Sequence, residues 1–451
     1  MGLPSKEQIF AKYVQFTTRN TDAIFDLAAR FVRSLPSSIC DTQCSFEPSP
    51  ASPKDLELET WLWSHELNLA LELGQGNKVS LAKSIFDEGM EFYSRPQTEI
   101  ALILVVPLNT TKQLLSSWLW LEEQISSYLR GFGFVNFFVE KLPYRFDEEI
   151  EAINEKCRVL LDKCQKFTPI FLLVGIPADT FRLSASDAND FNKRLSQTLR
   201  RRRRGAYLVN LNLQPSMSVD DRKWLIENTL VKSLAAIGAV PWRVLGVPTP
   251  ENSSQDEICF IGIDINATSR KVKPIIGGVT LDGFGVLTGF HQVAISDPHG
   301  EEVSEDEFRL LINQLLNHHA YVKGKMPRHI VIHRDGLSKP REKKVVSEMI
   351  SIGMSVDLVE IRKHGCPRIR QPMNEQGTPS QDIALGSERF GLVYMNNTRA
   401  ILKRMSAKKP VFPSPQGITV RRVVGKSSVK ILAAQIYALT LVNYSAIRMT
   451  N

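Results

Sequence analysis

The chain has 451 residues, 43% of them hydrophobic, and carries 56 Lys+Arg against 48 Asp+Glu for a formal net charge of +8. That length exceeds one ordinary core and suits two or three domains, and the composition excludes a disordered chain. No apolar run reaches the ~18 residues of a membrane span, and the start "MGLPSKEQIFAKYVQF" lacks a secretion signal's apolar core. The expectation is a soluble, cytoplasmic protein.

Residues 1–95 predict a helix over "SKEQIFAKYVQFTTRNTDAIFDLAARFVRSL", a loop at "EPSPASPKD", and a strand and turn at "LNLALELGQGN". No chemistry is assigned to this N-terminal linker region. From 96 to 250 strands and helices alternate. "ALILVVP" is a buried strand, "TKQLLSSWLWLEEQISSYL" a helix, and "FVNFFVE" a strand. "FDEEIEAINEKCRVLLDKCQKF" is a helix with an acidic first turn and a basic last turn, as the helix dipole favours. "PIFLLVGIP" is a strand, "SASDANDFNKRLSQTL" a serine-capped helix and "AYLVNL" a strand. "DDRKWLIENTLVKSLAAIGAV" is a helix with Gly238 near its end, before "PWRVLGV". This alternation predicts an α/β domain with a parallel sheet covered on both faces, whose ligands bind at the carboxyl ends of the strands.

Between 251 and 451 the order changes. "ICFIGIDI", "PIIGGVT" and "GVLTGFHQVAI" are three strands in succession. The helix "SEDEFRLLINQLLNHH" opens on Ser304 with Glu307 three residues on, a capping box. Strand "HIVIH", helix "KPREKKVVSEMISIG" and strand "SVDLVEIRK" follow. Three meandering strands followed by alternating helices and strands is the order of an RNase H-like fold.

Charge is unevenly spread. Residues 321–451 hold 23 Lys+Arg against 8 Asp+Glu, and no carboxylate follows Glu388. A polyanion along this third explains the bias, and nucleic acid is preferred over anionic membrane because no basic amphipathic helix with a clean apolar face stands out. Six cysteines (40, 44, 157, 164, 259, 366) show no zinc-ligand spacing and read as free thiols.

Asp264, embedded in apolar residues at the end of "FIGIDI", asks for a partner, because a buried carboxylate is costly unless paired or metal-bound. Asp335 ends the strand in "RHIVIHRDGLSKPREKK". In an RNase H-like sheet these strands are neighbours, so the two acids converge. Close carboxylates stay ionised only with cations between them, and a magnesium or manganese pair about 4 Å apart would clamp the reacting oxygens of a phosphodiester. The plain alternative is a turn residue at each place, with Asp264 bonded to the "NATS" segment and Asp335 in a turn with Gly336.

"IGIDI", "VIHRDG" and "DLVEIRKHGCPRI" together resemble the PIWI domain of Argonaute proteins. "ENTLVKSLAAIGAVPWRV" resembles the last helix and strand of their MID domain, and "SPQGITVRRVVGKSSVKILAAQIYALTLVNYS" their closing strand and helix. The resemblance implies a short prokaryotic Argonaute: a Rossmann-like MID domain (96–250), then an RNase H-like PIWI domain (251–451). A guide RNA or DNA would sit with its 5′ end in MID and pair with a complementary target along PIWI. It implies catalytic roles for Asp264, Glu301 (Glu302 being the neighbouring choice) and Asp335, with a divalent metal on Asp264 and Asp335. A fourth ligand is expected after "TLVNYSAIRMTN", and no Asp, Glu or His stands there. The expectation is therefore a guided binder rather than an efficient nuclease, the alternative being a metal-dependent slicer whose fourth ligand lies beyond residue 451. The resemblance also implies phosphate contacts at Arg200, Arg201, Arg202, Arg203, Arg204 and Lys232, with Ala236 where a second family lysine would stand, and at Lys363, Arg368 and Arg370 beside the cleft. His333 and His364 read as structural. Short Argonautes imply an effector protein carrying an APAZ domain, and a role in defence against foreign nucleic acid such as viruses.

Overall fold

The computed structural model describes residues 38–39, 42–43, 58–79, 91–95, 100–107, 112–144, 150–163, 170–175, 206–211, 218–250, 253–266, 274–297, 302–363, 383–396 and 417–442. They fall into two units, the smaller within 70–243 and the larger formed by residues before 70 together with 244–442. Strand β1 (Glu59–Leu62) belongs to the larger.

The smaller unit holds β2 (Ile100–Pro107), α1 (Lys112–Gly131), β3 (Phe137–Tyr144), α2 (Ile150–Lys163), β4 (Ile170–Gly175), β5 (Ala206–Leu211) and α3 (Val219–Ala236). Its four strands are parallel in the order β3-β2-β4-β5. Ile100 through Val105 are all buried, as an inner parallel strand requires when both faces are covered. Pro143 lies on the edge strand β3, where a missing N–H costs no ladder bond. Helix α1 buries Leu121, Ile125 and Leu129, spaced by four along one face. Tyr128 on α1 donates its hydroxyl to buried Glu227 on α3 at 2.9 Å. Past the end of α3, Gly238 takes φ 91°, the left-handed conformation that closes a helix. The alternating strands and helices expected here are present, apart from the helix expected over "SASDANDFNKRLSQTL", which lies outside the described residues.

The larger unit holds β6 (Ile258–Asn266), β7 (Ile275–Asp282), β8 (Leu287–Ala294), α4 (Glu305–Lys323), β9 (His329–Asp335), α5 (Pro340–Ser351), β10 (Ser355–Arg362), β11 (Ile383–Ser387), β12 (Leu392–Asn396), β13 (Gly417–Val424) and α6 (Val429–Leu439). These strands and β1 form one nine-stranded sheet, β8-β7-β6-β9-β10-β13-β12-β11-β1. The meander β6-β7-β8 is antiparallel, and β9 and β10 join parallel to β6 and to each other. The mixed α/β order is the one read from the sequence. Ser304 accepts from Glu307 N while the Glu307 carboxylate accepts from Ser304 N, so the expected capping box is formed.

Alternation along the strands decides what the sheet shows on each side. Cys259, Ile261 and Ile263 of β6, Ile330 and Ile332 of β9, and Val356 and Leu358 of β10 face a core closed by Phe308, Leu311 and Leu315 of α4 and Val345, Val346 and Met349 of α5. The intervening residues, Gly262 and Asp264 on β6 and His333 and Asp335 on β9, point to the opposite face. Among the described residues, no helix is long and apolar enough to cross a membrane.

Candidate nucleic-acid cleft

A cavity of about 540 Å³ opens on that second face, lined among others by Asp264, Gly277, Phe290, His333, Asp335 and Lys363. Register explains the gathering. Ile263 pairs with Arg334, so Asp264 and Asp335 stand one residue beyond, at matching ends of parallel neighbours. Gly277 lies opposite Asp264, Gln292 opposite Gly277, and Ile361 opposite Asp335. The sheet therefore brings the two predicted aspartates to one cavity.

Their surroundings differ from the expectation in one respect. Asp264 is exposed, not embedded, because the apolar residues flanking it belong to the other face of β6. Its Oδ1 accepts from Ile265 N at 2.8 Å; of the "NATS" segment only Asn266 is among the described residues. Asp335 is half-buried, and Lys363 Nζ donates to its Oδ2 at 2.6 Å. The cation beside Asp335 is thus a lysine of the same chain, two residues past Ile361 and on the same face. Lys363 keeps half its side-chain surface exposed, so the ammonium has protons free for a further partner.

The loop after Asp335 is clamped from beneath. Gly336 takes φ 89° and donates its N–H to Ile361 O at 2.9 Å. Ser338 donates both N–H (2.9 Å) and hydroxyl (2.6 Å) to buried Glu360. Buried Arg334 donates to the equally buried Glu342 at 3.3 Å and to Asp335 O at 2.6 Å. Neither Glu360 nor Arg334 stood out in the sequence. The only signal for Arg334 was a charge in mid-strand directly before the aspartate.

His333 is half-buried, its ring stacked on Phe260 with centroids 5.8 Å apart, and among the described residues its buried Nε2 has no hydrogen-bond partner. Burial pulls its pKa down to about 4, so the imidazole is neutral at ordinary pH.

The other expected site residues are less informative. Glu302 is exposed, 3.6 Å from Arg341, and is not among the residues lining the cavity. Lys232 is exposed on α3 of the smaller unit. Glu301, Arg200 to Arg204, His364, Arg368 and Arg370 lie outside the described residues.

The family's divalent metals need several oxygen ligands. Among the described residues, no group of three or more His, Cys, Asp and Glu side chains is arranged to hold a metal ion. Asp264 and Asp335 supply two carboxylates, one of them already neutralised by Lys363. This donor set does not fit a two-metal centre.

Comparison with known proteins agrees with the geometry. Residues 200–364 match the Piwi domain family. The Argonaute protein of Aquifex aeolicus is 25% identical over 241 residues, 52% of this chain and 30% of the relative. Clostridium butyricum Argonaute, solved with a guide DNA and a 19-mer target DNA, superposes with a TM-score of 0.67 at 14% identity, over 98% of this chain and 58% of its own. Marinitoga piezophila Argonaute, solved with a 5′ OH guide RNA, gives 0.56 at 15% identity, over 85% and 54%. The chain thus spans under a third of the curated relative's length and just over half of these two structural relatives. Residues 200–364 thus carry the match to the Piwi domain family, and the chain has the fold of these prokaryotic Argonaute structures.

Proposed function

We propose that this chain is a short Argonaute that holds a guide strand and recognises complementary nucleic acid by base pairing. In this reading residues 96–250 act as the MID domain, receiving the guide 5′ end, and 251–451 as the PIWI domain along which the duplex lies. The observation that carries it is the cavity on the second sheet face of the larger unit, lined by Lys363 within the chain's most cationic third. Lysines placed so contact phosphates without reading bases, which leaves sequence to pairing. Argonautes of similar fold are bound to guide and target strands, which supports the same reading.

Target binding is the output, passed on to an effector protein carrying an APAZ domain in defence against foreign nucleic acid. Cleavage is not assigned: among the described residues Asp264 and Asp335 are the carboxylates lining the cleft, and Glu301 lies outside them. The test is to purify the chain, sequence the nucleic acid that co-purifies, and titrate a labelled complementary target onto the loaded protein at rising salt. Short strands of defined length and a steep loss of affinity with salt are expected. Absence of nucleic acid together with a flat salt response would refute it. A cut at one fixed target position with magnesium or manganese would replace it by the slicer reading.

A further inference from the structure

The pairing of Lys363 with Asp335 has a consequence for which cations the cleft accepts. Two carboxylates at the ends of neighbouring strands would ordinarily draw a divalent ion, since each disfavours the other's charge. Here one is already matched. Lys363 Nζ lies 2.6 Å from Asp335 Oδ2, inside the cavity that Asp264 also lines. The lysine reaches that oxygen from a fixed base. Ile361 is paired with Asp335 in the β9–β10 ladder and Gly336 N is bonded to Ile361 O, which sets the lysine's backbone two residues along from the acid. On the other side of the pair, one oxygen of Asp264 is taken by Ile265 N.

We propose that Lys363 is a built-in counter-ion that occupies the cation position at Asp335 and holds divalent metals out of the cleft. Four physical points support it. The ammonium is tethered, so its local concentration does not depend on the solution. A dication entering beside Asp264 would stand within a few ångströms of a positive charge and lose much of its attraction to the pair. Among the described residues Asp264 and Asp335 are the carboxylates lining the cavity, so with one of them matched by Lys363 a hydrated dication gains little for the water it sheds. The half-exposed ammonium still has protons to offer a phosphate, so the same side chain serves the proposed function without a metal.

This inference concerns the protein without nucleic acid, and its test is separate from the one above. Chain stripped of nucleic acid is titrated with Mn2+ and free ion is read by electron paramagnetic resonance, for the unaltered protein and for Lys363→Met, Lys363→Arg and the double variant Lys363→Met/Asp335→Asn. Lys363→Met should bind one Mn2+ about tenfold or more tightly than the unaltered protein, because a unit positive charge is lost beside the ion. Lys363→Arg should stay weak, and the double variant should fall back to weak binding. The prediction is a gain of affinity, which an unfolded variant cannot mimic. Equal Mn2+ affinity in the unaltered protein and Lys363→Met would overturn the proposal, as would Lys363→Arg matching Lys363→Met. Nucleic-acid binding in chelator is measured alongside. Its loss in the unaltered protein would count against the proposed function and leave the metal result standing.

Discussion

Asp264 and Gly277 face each other across the antiparallel β6–β7 pair, and a Cβ added at Gly277 would meet no atom within 4 Å. The glycine keeps the cleft open beside the carboxylate, and its backbone is not in the left-handed region. Gly277→Leu should therefore fold as the parent does and fill the cleft with an isobutyl group. Duplex binding should weaken by about tenfold or more, since a well-placed obstruction removes favourable contacts and ordering already achieved. Equal affinity for a guide–target duplex in a filter-binding assay would place the nucleic acid elsewhere.

Asp335→Ala removes the acid that engages Lys363. If the lysine contacts phosphate, freeing it from its partner and removing a negative charge from the cleft should leave nucleic-acid affinity equal or raise it by about two- to fivefold at low salt. The gain should shrink at high salt, where screening is complete within a few ångströms. A fall in affinity with an unchanged melting temperature would give Asp335 a direct binding role.

A buried network at the other end of the same strands should set acid stability. Asp357 accepts from His329 Nε2 at 2.8 Å, from Ser427 Oγ at 2.5 Å and from Ser427 N at 3.1 Å. Burial by itself would push this carboxyl's pKa up, but the hydrogen bonds from His329 and Ser427 hold it below its ordinary value. A folded-state pKa below the unfolded one contributes stability that is present above the unfolded value and is lost as pH falls through the folded value. The loss belongs below about pH 4. Asp357→Ala should cost roughly 3 kcal/mol at pH 7, leaving buried polar partners unmatched. Its denaturant midpoint should then vary less with pH on the acid side than the parent's, as paired melts at pH 7 and pH 3.5 would reveal.

His333 is neutral and its Nε2 is unbonded among the described residues, so replacing it by another flat ring should be cheap. His333→Phe keeps the stack on Phe260 and removes a buried polar atom, so the change in stability should stay within about 1 kcal/mol. Binding measured from pH 5 to 8 should show the same profile in both proteins. A new pH dependence would mean that the imidazole is used.

Much of this fold can be read along the chain because its signals are local. The apolar run Ile100–Val105, the box at Ser304 and Glu307, and Asp335 followed by Gly336 each declare themselves within a few residues. What escaped depends on partners far apart. The hairpin of β11 and β12 was not foreseen, and its edge is paired with β1, Ile383 opposite Leu62, across more than 300 residues of chain. The exposure of Asp264 escaped for a related reason. Neighbouring isoleucines made it look embedded, yet they serve the α4–α5 core on the reverse side. The pairing of Lys363 with Asp335 escaped as well, because it needs the β9–β10 register. The clamp of Ser338 and Glu360 needs the same register.

Strand β1 has a further bearing on how the protein is handled. It precedes the whole smaller unit in sequence, yet it hydrogen-bonds to β11, with Trp61 buried and Lys430 both over its ring and 2.6 Å from Glu66. Excising residues 251–451 as a tidy segment would strip this selvage from the sheet. The bared backbone of β11 would then seek a substitute strand, and such a fragment should self-associate more readily than the full chain.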